Sequence, residues 1–274
     1  MLTYIPLIAV FGLSFFKWGG TGAPEWNGIN NYIKLFTTDP YFKESIKVTV
    51  YFSLLAVVGS MVYSLIVAML LNRKIPARGF FRAVFYLPYV LPAAAVYIGW
   101  SWLYNTEWGL FNYILSKLGI ERLMFVSSSS QVVPSLALIA VWLSGNLIVI
   151  FLAGLQNVPR VYHEAAEIDG ANAWQRFWHV TFPSMTPIIF YNMLMSLITN
   201  MQVVTPALAL TKGGPGKSSY FMSYMLYNYA FKQRGKIGLA CAIAFVLFLL
   251  IGAFTLLLFA TSKSWIFYEG GDDK

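Results

Sequence analysis

Four stretches of this chain, residues 46–71, 80–104, 132–155 and 238–261, are long, apolar and nearly free of charge. A helix rises 1.5 Å per residue, so about 20 apolar residues are needed to cross roughly 30 Å of hydrocarbon. A fifth run, 185–210, is long enough but more polar. A sixth, 1–16, is apolar yet reaches only about 24 Å as a helix.

A secretory signal peptide is the rival reading of that first run. No basic residue precedes it and no small-residue cleavage site follows it. The expectation is therefore an all-α, polytopic membrane bundle of six transmembrane helices, the first shortened because its beginning is lost.

Composition agrees. Hydrophobic residues make up 58% of the chain and charged residues 11%, against about 25% charged in soluble domains. The single cysteine, Cys241, excludes a disulfide framework or a cysteine metal cluster. A net charge of +8 is read as loop charge facing anionic lipid headgroups, with no nucleic acid as partner. No span carries an ionisable residue near its middle, which argues against a secondary transporter or channel acting alone. His163 and His179, the two histidines, lack metal spacing and a carboxylate pair, which argues against a membrane enzyme. The basic residues do not orient the bundle. Eight fall on the side of segments 72–82 and 156–183, including Lys274, and eleven on the other, including Arg234.

The most unusual hydrophilic segment is 158–183, VPRVYHEAAEIDGANAWQRFWHVTFP. Pro159 can open a helix, where its missing N–H costs nothing. Arg160 and Glu164, four apart, are expected to pair across one turn. Asp169-Gly170 suits a reversal with positive φ. Trp174, Phe177, Trp178 and Phe182 then give a second helical stretch an apolar face. The spacing predicts a short helix–turn–helix at the membrane surface.

Glu164-Ala165-Ala166, Gly170, Val180 and Phe182-Pro183 resemble the EAA loop of permease subunits of binding-protein-dependent ABC importers. Val180 for Ile and Phe182 for Leu are the departures, apolar for apolar. Further features resemble the carbohydrate, MalF-like branch: Ser14 to Trp18, Leu87-Pro88 to Pro92, Leu152 to Gln156, Thr211 to Pro215, and Gly238, Ala240 and Ala242. The resemblance implies a type I ABC importer permease fold, with residues 1–274 as one transmembrane domain. It also implies a cytoplasmic coupling loop, 158–183, that docks on a separate ATPase through Glu164, Ala165, Ala166, Asp169 and Gly170. The implied partners are a second, MalG-like permease subunit, an ATPase dimer, an extracytoplasmic solute-binding protein, a saccharide and membrane lipid. ATP and Mg²⁺ would sit on the ATPase, with no cofactor or catalysis on this chain, in a prokaryotic inner membrane. A non-sugar solute such as glycerol phosphate is the alternative within the same family.

Gly216-Lys217-Ser218 ends like a phosphate-binding loop, but the required first glycine falls at Thr211, so the segment is read as turns. Asn192, Ser196 and Asn200, at steps of four, share one helical face. With Ser144 and Asn146 they form the candidate substrate path. Neutral amides and hydroxyls both donate and accept, as an uncharged hydroxylated ligand requires; interhelical hydrogen bonding is the plainer use of the same groups. The resemblance supports Ser196 and Asn200 in particular. Tyr97, Trp100, Trp102 and Tyr104 are read as interfacial aromatics rather than sugar-stacking rings.

Overall fold

The computed structural model describes residues 4–233 and 235–267. Met1, Arg234 and Lys274 lie outside the described residues. The order is α1 (Tyr4–Leu13), β1 (Phe16–Lys17), β2 (Glu25–Trp26), α2 (Asn30–Ile33), α3 (Phe42–Asn72), α4 (Arg78–Val90), α5 (Ala93–Leu103) and α6 (Leu110–Lys117). It continues with α7 (Val132–Trp142), α8 (Gly145–Asn157), α9 (Arg160–Ile168), α10 (Ala173–Arg176), α11 (Phe182–Met201), α12 (Met222–Tyr227) and α13 (Ile237–Ser262).

The six apolar runs fall on α1, α3, α4–α5, α7–α8, α11 and α13, so the all-α membrane architecture is as expected. Among the described residues only α3 and α13, with 31 and 26 residues, are uninterrupted helices both long and apolar enough to cross a membrane. Two expected spans are instead broken pairs, each bent by more than 40°. The run 80–104 parts between α4 and α5 at Leu91-Pro92. Leu91 is extended, with φ −69° and ψ 144°, because a following proline disfavours the helical conformation. The run 132–155 parts between α7 and α8, where Ser144 leaves helical geometry at φ −80° and ψ 26°. The fifth run is also shorter than expected: α11 stops at Met201, and Ala207–Thr211 forms a separate π turn after Pro206.

The chain divides into two compact units. One comprises Met1–Leu55, Ala93–Ile139 and Ile198–Ala253. Asn31 is buried and donates from Nδ2 to the carbonyls of Ser14 (2.7 Å) and Phe16 (3.0 Å), which anchors the β1–β2 pair. Thr49 Oγ1 accepts the Met222 N–H at 2.9 Å, next to the Phe52–Phe221 ring contact. The Tyr104 hydroxyl donates to Ser135 O at 3.0 Å while its ring stacks on Phe125. Tyr104 and Tyr97 are therefore buried core rings, whereas Trp102 is exposed, as an interfacial aromatic would be. The glycine-rich turn closes on itself through Ser219, whose hydroxyl lies 2.6 Å from both Thr211 Oγ1 and Gly214 O. Lys217 lies over the Tyr220 ring at 4.4 Å. A lysine folded onto aromatics does not line a phosphate cradle.

The other unit comprises Ala56–Pro92, Ala140–Leu197 and Phe254–Lys274. Its core packs Val67, Ala68 and Leu71 of α3 against Ile148, Phe151, Leu152 and Leu155 of α8 and Met185 of α11. Gly145 lets α4 and α8 approach closely. A Cβ there would lie 2.9 Å from Phe85 O and 3.1 Å from Tyr86 Cα. Small residues at such crossings are how membrane helices gain dispersion contact without a hydrophobic driving force.

Candidate functional site

The segment after α8 folds as a helical corner. Val158 is extended at the end of α8, Pro159 occupies the N-cap position, and α9 follows. The helix ends in a Schellman turn. Gly170, at φ +79°, donates to Glu167 O at 3.0 Å, and Ala171 donates to Ala166 O at 2.9 Å. Both bonds satisfy carbonyls a helix end leaves open, and the left-handed residue they require is best supplied by glycine. Asn172 then starts α10 with a reciprocal cap. Its Oδ1 accepts from Gln175 N at 3.0 Å, and its own N–H donates to Gln175 Oε1 at 2.8 Å. The asparagine–glutamine spacing of three was the available signal for this cap.

Charge pins the corner differently from the sequence expectation. Among the described residues no ion pair joins Arg160 to Glu164; Glu167 and Arg176 pair instead, linking α9 to α10. Glu164, Ala165, Asp169 and Gly170 are exposed and Ala166 is half-buried. Val161 and Ile168, the latter 87% exposed, flank Ala165 on α9 at helical spacing. A small-residue patch with one carboxylate, edged by bare aliphatic side chains, is thus presented on a stiff helix. Trp174, Phe177, Trp178 and Phe182 form the expected ring cluster, with Trp174 largely exposed.

The five path residues divide by environment. Asn192, Ser196 and Asn200 all lie on α11, spaced as one face of a continuous helix. Asn192 is fully buried, and neither Nδ2 nor Oδ1 has a hydrogen-bond partner among the described residues. Ser196 is buried and Asn200 half-buried. Ser144 is committed elsewhere: its hydroxyl donates to Val141 O at 2.6 Å and lies 2.9 Å from Ser64 Oγ. Asn146 is half-buried at the start of α8. Among the described residues no group of three or more His, Cys, Asp or Glu could hold a metal ion.

The chain is thus a charge-poor helical membrane bundle with one polar helix face and one exposed, capped corner. Residues 60–264 match the family described as binding-protein-dependent transport system inner membrane component. The chain belongs to that family and is the inner-membrane permease component of a binding-protein-dependent ABC importer. It is 36% identical over 275 residues to the probable ABC transporter permease protein YesP of Bacillus subtilis, covering 99% of this chain and 88% of that protein. It is 36% identical to the multiple sugar-binding transport system permease protein MsmF of Streptococcus mutans, covering 96% and 90%. One chain from the crystal structure of a bacterial ABC transporter involved in the import of the acidic polysaccharide alginate has the same fold. That match has TM-score 0.80, 20% identity, and coverage of 95% of this chain and 89% of that one.

Proposed function

We propose that this permease forms half of the translocation path for a sugar or oligosaccharide, and that α9 and the Gly170 corner couple it to a separate ATPase. The observation that carries the coupling reading is the exposed Glu164–Ala165 surface on a helix whose end is locked by the Schellman turn. Small side chains admit a partner's backbone closely, Glu164 and Asp169 accept its donors, and a rigid corner transmits displacement into α11 rather than absorbing it. On this reading the loop is cytoplasmic, the partner dimer binds ATP and Mg²⁺, and a second permease subunit completes the path. An extracytoplasmic binding protein delivers the solute.

The sugar assignment is supported by the α11 face. Asn192 offers a donor and an acceptor that no described residue satisfies, and an unsatisfied buried amide costs about 1–3 kcal/mol. Asn192 is closed off from solvent in this structure, so on this reading a saccharide hydroxyl meets it only when the bundle opens. Relatives named for multiple sugars and for trehalose and maltose point the same way.

The coupling assignment is tested by Glu164→Lys in the assembled importer. The expected result is loss of the ATPase from the purified membrane complex. Normal co-purification with substrate-stimulated ATP hydrolysis would sink the assignment.

A further inference from the structure

Arg78 and Arg82, four apart at the start of α4, both aim at one neutral side chain. With its amide oxygen facing them, Gln156 at the end of α8 accepts from Arg78 Nη2 at 3.0 Å and from Arg82 Nη2 at 2.9 Å. Neither guanidinium is among the ion pairs found for the described residues, which join Lys17–Glu25, Lys47–Glu44 and Arg176–Glu167. Arg78 Nε is sealed from solvent with no hydrogen-bond partner. Like charges four apart on a helix repel, and a single carbonyl oxygen does not compensate two cations. Arg78 is half-buried and Arg82 exposed, so an anion can reach the pair.

The space beside the pair says what kind of anion. A cavity of about 170 Å³ has Arg82 and Gln156 at its polar end. Its remaining wall is apolar and includes Leu71, Tyr86, Ile148 and Leu152. Arg73 and Lys74 lie exposed just before the helix. The first turn of α4 adds N–H groups that no side chain caps, behind Ala77. A free inorganic anion would use the polar end only. A phosphate carrying acyl chains uses both ends. Guanidinium forks match phosphate oxygens bidentately, and basic clusters at the end of a span are where anionic headgroups gather.

We propose that Arg78, Arg82 and Gln156 form a binding site for the phosphate headgroup of an anionic phospholipid, with an acyl chain against the apolar wall of Leu71, Tyr86, Ile148 and Leu152. This goes beyond the transport reading and does not depend on it, because it needs only the membrane location that the family gives.

The test is native mass spectrometry of the intact importer, titrated separately with phosphatidylglycerol and phosphatidylcholine and, in a third arm, with inorganic phosphate as competitor. The wild-type complex is expected to retain one phosphatidylglycerol more than Arg78→Gln/Arg82→Gln, with affinity falling roughly fivefold per guanidinium lost. Phosphatidylcholine should bind both forms alike, and Arg82→Lys, which keeps the charge without the fork, should be intermediate. Equal phosphatidylglycerol retention by wild type and the double variant overturns the proposal. So does displacement of the lipid by inorganic phosphate, which would mark a free-anion site. Loss of the second permease subunit with no change in lipid retention would mark a protein contact instead, and also overturns it. If the double variant does not assemble, Arg82→Lys decides alone, and unchanged phosphatidylglycerol affinity refutes the site.

Discussion

Glu167 in the last turn of α9 and Arg176 in α10 are ion-paired across the Gly170 corner. Their side chains are 61% and 25% exposed, so the pair contributes at most about 1 kcal/mol to stability. Its consequence is geometric: it holds the angle at which α9 is presented. Glu167→Gln is therefore expected to leave thermal stability nearly unchanged while lowering substrate-stimulated ATP hydrolysis roughly threefold, the scale of mutations that modulate coupling between sites. Stimulation equal to wild type would show that the corner holds its angle without the pair.

Gly170 has open space around it, with nothing within 4 Å of the position a Cβ would take, so a substitution there acts only through its positive φ. A left-handed L-residue costs about 1–2 kcal/mol, and asparagine tolerates the region better than a β-branched side chain. Gly170→Val should loosen the corner and reduce recovery of the ATPase with the membrane subunits, and Gly170→Asn should retain most of it. Equal recovery for the two variants would mean that backbone geometry at the corner does not govern docking.

The outline of this molecule was legible where one-dimensional periodicity carries the physics. Run length located six apolar segments, and Asp169-Gly170 announced a reversal because only special backbone conformations suit those residues there. Hydropathy averages over a window, so it passed across Leu91-Pro92 and Ser144 without registering the breaks. Pairings were less legible. Arg160–Glu164 obeyed the helix spacing rule, yet Glu167 found Arg176 because the corner folds α10 back, which spacing within one helix does not encode. Gln156 meets Arg78 and Arg82 from more than seventy positions away, and Ser144 meets Ser64 from eighty. Those contacts exist only after the helices pack.

The α4–α8 crossing depends on a missing side chain. Gly145→Ala places a methyl 2.9 Å from Phe85 O, so backbone must move, and overpacking of this kind costs about 1–3 kcal/mol. The variant is expected to lower the midpoint of thermal unfolding in detergent. Gly252→Ala in α13, where nothing lies within 4 Å of the added methyl, should not. Equal midpoints for the two would show that α4 and α8 separate freely.

The polar positions can be sorted by what each already holds. Ser144 has its hydroxyl within 2.9 Å of Ser64 Oγ, so Ser144→Ala removes an interhelical bond worth about 0.6 kcal/mol and should leave saccharide uptake unchanged. Asn192 is the opposite case, buried with both amide atoms unpartnered among the described residues. If it served packing alone, Asn192→Leu would stabilise the bundle by removing an unsatisfied group and leave transport intact. If it faces the solute, the same change stabilises the empty protein and lowers uptake, and the second outcome is the one expected. Asn200→Ala, two turns further along the same face, should also lower uptake while the complex assembles normally. Uptake of radiolabelled saccharides in proteoliposomes, measured beside thermal unfolding, separates these outcomes. Transport of every tested saccharide surviving both Asn192→Leu and Asn200→Ala would remove α11 from the path.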